Sequence, residues 1–133
     1  MNQEISSHKL ACAVAQFLDD KLAKDITILN ISHVSSLADY FVIASGDSTP
    51  QVKSLLENTK EKVKIAFSRL PVRSEKDQKN RWNLLDYGDV VVHILHKEER
   101  ETYALEKFWS HAFSITEDEW RKEAKEFSEY NKK

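Results

Sequence analysis

Two segments of this chain, Tyr40-Phe41-Val42-Ile43-Ala44-Ser45 and Val90-Val91-Val92, are apolar at successive positions where a half-exposed strand would alternate. Side chains on a strand point to its two faces in turn, so such runs need cover on both sides and mark central strands. Helices to supply that cover are visible. Leu10, Val14, Phe17, Leu18 and Leu22 recur at helical spacing and predict a first amphipathic helix over 7–23. Val52, Leu55, Leu56, Val63, Ala66, Phe67 and Leu70 predict a second, which Pro71 stops. Between the two helices, Ile26 to Ile31 reads as a further strand.

Local signals fix several joints. Ser48 and Gln51 stand at capping-box spacing, with Pro50 in the first turn where its missing amide costs little. Trp82–Tyr87 and Asp89–Leu95 predict two antiparallel strands joined through Asp86-Tyr87-Gly88-Asp89, with Gly88 supplying a positive φ. A helix is expected from about Glu98, interleaving Tyr103, Phe108 and Ala112 with Leu105 and Trp109. A last helix, over 116–130, carries Trp120, Ala124, Phe127 and Tyr130 on one stripe that must dock on its own domain or on a partner.

The length of 133 residues predicts one core. Cys12 is the only cysteine, so neither an internal disulfide nor a thiolate zinc site is expected, and the chain reads as cytoplasmic. Its place inside the first helix makes Cys12 a packing residue. No apolar run approaches the length of a membrane span, and no secretory signal fits the polar start. A net charge of −2 disfavours a purely electrostatic nucleic-acid binder. That total hides a basic middle, because residues 60–81 hold eight basic and three acidic side chains. This stretch is either a solvated face or a stripe toward RNA or an acidic partner.

Catalytic chemistry finds no support. His93 and His96 are three apart near a strand end and project to opposite faces, so no metal site is expected. Asp86 and Asp89 read as turn formers. No Asp-x-Asp pair is present to hold magnesium, and Ser45 and Ser48 lack a G-x-S-x-G frame. What stands out is a concentration of polar aromatics and charges: Trp82, Tyr87, His93, Arg100, Tyr103, Glu106 and Trp109. Trp, Tyr and Arg dominate interface hot spots, so these seven are the expected partner contacts, with His93 and Trp109 mainly structural. Arg100, Tyr103 and Glu106 or Lys107 have the spacing to share a helix face. Exposed aromatics left empty also lead to the expectation of a homodimer in the free state.

Three blocks carry a resemblance. Asp39-Tyr40-Phe41-Val42-Ile43-Ala44-Ser45-Gly46, Trp82-Asn83-Leu84-Leu85-Asp86-Tyr87-Gly88-Asp89-Val90-Val91-Val92-His93-Ile94 and Arg100-Glu101-Thr102-Tyr103-Ala104-Leu105-Glu106-Lys107-Phe108-Trp109 together resemble the Iojap-like ribosomal silencing factors. The resemblance implies an α/β (α+β) domain with a mixed, about five-stranded sheet flanked by helices. In outline it is nucleotidyltransferase-like, without magnesium-binding carboxylates. The resemblance covers roughly 7–113, so the domain is expected over 1–115, followed by a charged amphipathic C-terminal helix or tail over 116–133 that lies beyond the shared region. It further implies a non-catalytic translational repressor, without cofactor, that binds the large ribosomal subunit at ribosomal protein uL fourteen. Bound there, with ribosomal RNA as a neighbouring partner, such a repressor blocks joining of the small subunit under nutrient limitation. Two other readings stand beside it: an RNA-binding ribosome-assembly module using the basic stretch, and a degenerate nucleotidyltransferase that still binds a nucleotide. Family members often carry Glu-Gly where this chain has Glu75-Lys76, so the loop geometry there is expected to differ, since Lys disfavours positive φ.

Overall fold

The computed structural model describes residues 5–104, 107 and 112–128. Its first helix, α1 (Ser7–Asp20), starts where the Ser6 hydroxyl accepts the Lys9 amide at 3.1 Å. It buries every residue from Leu10 to Leu18. Strands β1 (Lys24–Asn30) and β2 (Tyr40–Gly46) follow, then helix α2 (Thr49–Phe67). The cap of α2 differs from the expected box by one residue. Ser48 Oγ accepts from the Gln51 amide at 3.2 Å, but the Gln51 side chain reaches past Ser48 to the Asp47 amide at 2.7 Å.

Pro71 does not stop α2. Ser68 does, by taking a left-handed conformation at φ 55 with its amide on the Lys64 carbonyl, so Leu70 lies outside the helix and is exposed. A three-residue strand β3 (Arg73–Glu75) comes next, then the hairpin of β4 (Trp82–Asp86) and β5 (Val90–His96), helix α3 (Lys97–Tyr103), strand β6 (Phe113–Ile115) and helix α4 (Glu117–Glu123). The hairpin turns as expected, with Gly88 at φ +91 and its amide held by Asp86 Oδ1 at 2.8 Å.

Among the described residues the sheet is mixed and has six strands in the order β3-β4-β5-β2-β1-β6. The two apolar runs lie side by side at its centre as the parallel pair β2 and β5, with Tyr40 opposite Val90 and Ile43 opposite His93. All other pairings are antiparallel. Six is one strand more than the expected five; the residue pattern outlines the four inner strands, while the edges β3 and β6 have three residues each and too little length to show a period.

Alternation divides the core. Tyr40, Val42, Ala44, Val90, Val92 and Ile94 face α1 and α2, where Leu10, Val14, Leu55, Leu56 and Val63 meet them. Phe41, Ile43, Val91 and Leu95 face the opposite side with Leu29 and Ile31. Each such aliphatic side chain, once buried, stabilises the fold by about 1.5–3 kcal/mol. Cys12 is part of the first set, fully buried, and burial pushes its thiol up to about 12, which leaves it inert at neutral pH.

The C-terminal stripe docks on its own domain. Trp120 and Ala124 are buried in the cluster formed with α1, and the Phe127 ring stands edge-on to Phe17 and Phe67. Arg121 fastens the outside with two bonds to the Asp19 carboxylate at 2.9 and 3.0 Å. Tyr130, placed by sequence on the same stripe, lies outside the described residues.

Candidate functional site

The sheet face opposite α1 and α2 gathers several of the residues singled out by sequence. Register explains the grouping: Trp82 pairs with Leu95, Leu84 with His93 and Asp86 with Val91, so all six point to this side. On the outer flank Glu75 pairs with Leu84 and Arg73 with Asp86, which brings two charges to the same face.

Trp82 and His93 form a fixed unit. The Trp82 indole Nε1 donates to His93 Nδ1 at 3.2 Å, so the neutral imidazole carries its proton on Nε2. Phe41 packs edge-on against the imidazole at 4.7 Å. Burial lowers the His93 pKa to about 4, against a smaller opposing pull from Asp86. His93 therefore stays uncharged at neutral pH, and its Nε2 is buried without a hydrogen-bond acceptor among the described residues.

This depressed value links stability to acidity. In the unfolded chain the imidazole titrates near its ordinary 6.5, so unfolding takes up a proton once the pH drops below that value. The folded state keeps its full advantage above about pH 6.5 and loses it progressively down to about pH 4. Urea titrations at several pH values are expected to show a loss of about 1 kcal/mol over the first pH unit below 6.5, and His93→Phe should flatten that limb.

Tyr103, at the end of α3, lays its ring 4.8 Å from Trp82 and remains 54% exposed. Together with Leu84 these two rings form the apolar floor of an open groove of about 650 Å3, rimmed by Glu75, Asp77, Lys79, Arg81 and Glu99. The rim is pinned in place. Arg81 Nε donates to Glu99 at 2.8 Å and Nη2 to Glu98 at 2.7 Å, while its amide bonds Asp77 Oδ2 at 3.0 Å. The Asp77 amide in turn donates to Asn83 Oδ1 at 2.8 Å. In this loop the positive φ falls on Asn80, and Lys76 takes an ordinary conformation with its ammonium on Glu57. An apolar floor with a preformed charged rim is the anatomy of a protein-docking surface.

The seven residues chosen from sequence do not all meet here. Trp82, His93 and Tyr103 do. Arg100 lies on α3 and donates to Thr27 Oγ1 of β1 at 3.1 Å. Tyr87 is corrected: its ring is 3% exposed in the core on the α1 and α2 side, beneath the Arg69 guanidinium. Burial pushes its phenol up to about 12. Glu106 and Trp109 lie outside the described residues. The helix face that Glu106 or Lys107 was to share with Arg100 and Tyr103 is interrupted, because Ala104 turns left-handed at φ 45 and ends α3.

Sequence missed Arg81, Glu99 and Leu84. Arg81 and Glu99 stand eighteen positions apart, and only the β4–β5 pairing brings them together. Four of the eight cations of the basic stretch are held in ion pairs. Arg69 pairs with Asp89, Arg73 with Glu75 and Asp86, Lys76 with Glu57, and Arg81 with Glu98 and Glu99. His96, Glu98 and Glu99 bring ligand atoms within 4.8 Å of one another. Arg81 already supplies the positive charge against both carboxylates, and His96 Nδ1 accepts the Glu98 amide at 3.2 Å.

The family model described as "Ribosomal silencing factor during starvation" matches residues 4–133, nearly the whole chain. This chain belongs to the ribosomal silencing factor family. Ribosomal silencing factor RsfS of Bacillus subtilis is 41% identical over 112 residues, which covers 84% of this chain and 91% of that protein. A crystal structure of a Chromobacterium violaceum protein superposes with a TM-score of 0.76 at 34% identity, covering 80% of this chain and 88% of that one. The Mus musculus protein named "Mitochondrial assembly of ribosomal large subunit protein 1" is 31% identical over 99 residues, covering 73% of this chain and 43% of that protein. The resemblance carried by the three sequence blocks and the mixed helix-flanked sheet it implies are thus both borne out.

Proposed function

We propose that this silencing factor docks on the large ribosomal subunit through ribosomal protein uL fourteen, using the groove floored by Trp82, Leu84 and Tyr103. Occupation of that site then sterically prevents the small subunit from joining, which represses translation when nutrients are short. The observation that carries the reading is the half-exposed Tyr103 ring, packed at a tilt against Trp82 inside a pinned charged rim, in a chain of this family. A large rigid aromatic supplies contact area at low entropic cost, and flanking charges set orientation and encounter rate.

Steric blocking needs affinity and no turnover, so the proposal assigns no enzymatic step. Among the described residues no helix is long and apolar enough to cross a membrane, which fits the cytoplasmic site of action proposed here. Recognition falls mainly to protein, because the basic stretch spends Arg69, Arg73, Lys76 and Arg81 on internal ion pairs that RNA phosphate would have to break.

Sedimentation with separated large subunits at physiological salt tests the docking, and light scattering of subunit mixtures tests the blocking. The protein is expected to pellet with large subunits and to suppress the scattering rise when small subunits are added. Failure to pellet overturns the docking, and pelleting with normal joining overturns the blocking.

A further inference from the structure

The proposed docking groove uses one face of the sheet, and at the β3 edge the other face carries a different surface. Glu75 rims the docking groove, whereas its neighbours Ser74 and Lys76 line a second open groove of about 290 Å3 against α2. Register sets this division. Glu75 pairs with Leu84 on the docking side, and Ser74 pairs with Leu85, which belongs to the core under α2. The two surfaces therefore meet around a strand of three exposed residues.

Lys53, Lys60 and Lys64 stand seven and four positions apart, so they share one exposed face of α2 in a row about 16 Å long. Lys60 and Lys64 line the second groove. Among the described residues none of the three is fixed in an ion pair. Their common field shows at Glu57, whose carboxyl is held below the usual range first by Lys76 and then by Lys53 and Lys60. Lys76 meets Glu57 at 2.8 Å and cancels its charge, so the three remaining ammonium groups stand against Glu61 in this groove.

We infer that the row of Lys53, Lys60 and Lys64 binds the phosphate backbone of ribosomal RNA when the docking groove is seated on the large subunit. The inference rests on the docking proposed above and adds to it a second contact, on RNA. A protein hot spot calls for aromatics and few lysines, and among the described residues no aromatic lines this groove. Phosphate calls for spaced cations on an open surface, each releasing counterions as it binds. Phosphate contacts carry no sequence information. The row thus adds affinity and fixes orientation, while Trp82, Leu84 and Tyr103 select the site.

Pelleting titrations with large subunits over a range of salt concentrations are the test. The triple variant Lys53→Gln, Lys60→Gln, Lys64→Gln is expected to bind at least about tenfold more weakly at physiological salt, with the slope of log affinity against log salt flattened by about two to three. Lys53→Arg, Lys60→Arg, Lys64→Arg keeps the charges and should bind as the wild type does. All three side chains are exposed, so the urea midpoints should agree. Isolated uL fourteen should bind the glutamine variant and the wild type equally. Unchanged subunit affinity and slope overturn the inference, and so does an equal loss on isolated uL fourteen, which would make the row a protein contact. Wild-type protein that fails to pellet overturns the docking instead. Filter retention of naked large-subunit RNA then decides the row by itself: a loss of at least about tenfold in the glutamine variant supports it, and equal retention overturns it.

Discussion

Replacing Tyr103 by alanine is expected to weaken large-subunit binding by about 30- to 150-fold, or about 2–3 kcal/mol, while hardly moving the unfolding midpoint of the free protein. The two effects separate because the ring is 54% exposed. Its packing on Trp82 contributes little to the fold, yet it is the largest aromatic surface that the groove offers a partner. Trp82→Ala would confuse the two, since the indole also satisfies His93. Tyr87→Phe is the control, because it removes only a buried hydroxyl without a hydrogen-bond partner and is expected to bind normally. A titration by pelleting measures both variants. A loss below about threefold for Tyr103→Ala would take the groove out of the interface.

Tyr87 belongs to the core for a reason already present in the sequence. It stands five positions beyond Trp82, an odd offset, so a continuous strand has to send the two rings to opposite faces. The strand alternation already decided that they could not share a docking surface. Composition of the segment, rich in Trp, Tyr and Asp, did not, because interface and core draw on the same aromatics. Legibility was greatest where structure is local: the apolar runs of β2 and β5, the Ser48 cap and the Gly88 turn are read from neighbours in the chain. The parallel pairing of β2 with β5 was not, since it joins strands more than forty positions apart in the chain, across the intervening α2, β3 and β4. The same reason hid the rim of the groove. Arg81 looks like one more cation in a basic stretch until β4 pairs with β5 and delivers it to Glu98 and Glu99.

The Trp120→Ala variant is expected to destabilise the protein by about 3–5 kcal/mol, a large share of the 5–15 kcal/mol typical of a domain. The indole is 2% exposed and packs in the same cluster as α1, so its removal leaves a cavity that the neighbouring helices cannot close without moving. Urea unfolding should show a single transition at a lower midpoint and an unchanged slope. Arg121→Ala deletes the ion pair to Asp19 and the guanidinium stacked 4.6 Å over Trp120 from a side chain 41% exposed, and should cost less than about 1 kcal/mol. The contrast identifies what holds α4. Its charges are abundant but solvated, whereas one buried aromatic joins it to the core. A loss below about 1 kcal/mol for Trp120→Ala would make α4 an appendage on a self-sufficient domain. The expected loss instead makes it part of the cooperative unit. Because Trp120 packs with α1, on the side of the sheet away from the groove, the fraction of Trp120→Ala protein that remains folded is expected to bind large subunits with undiminished affinity.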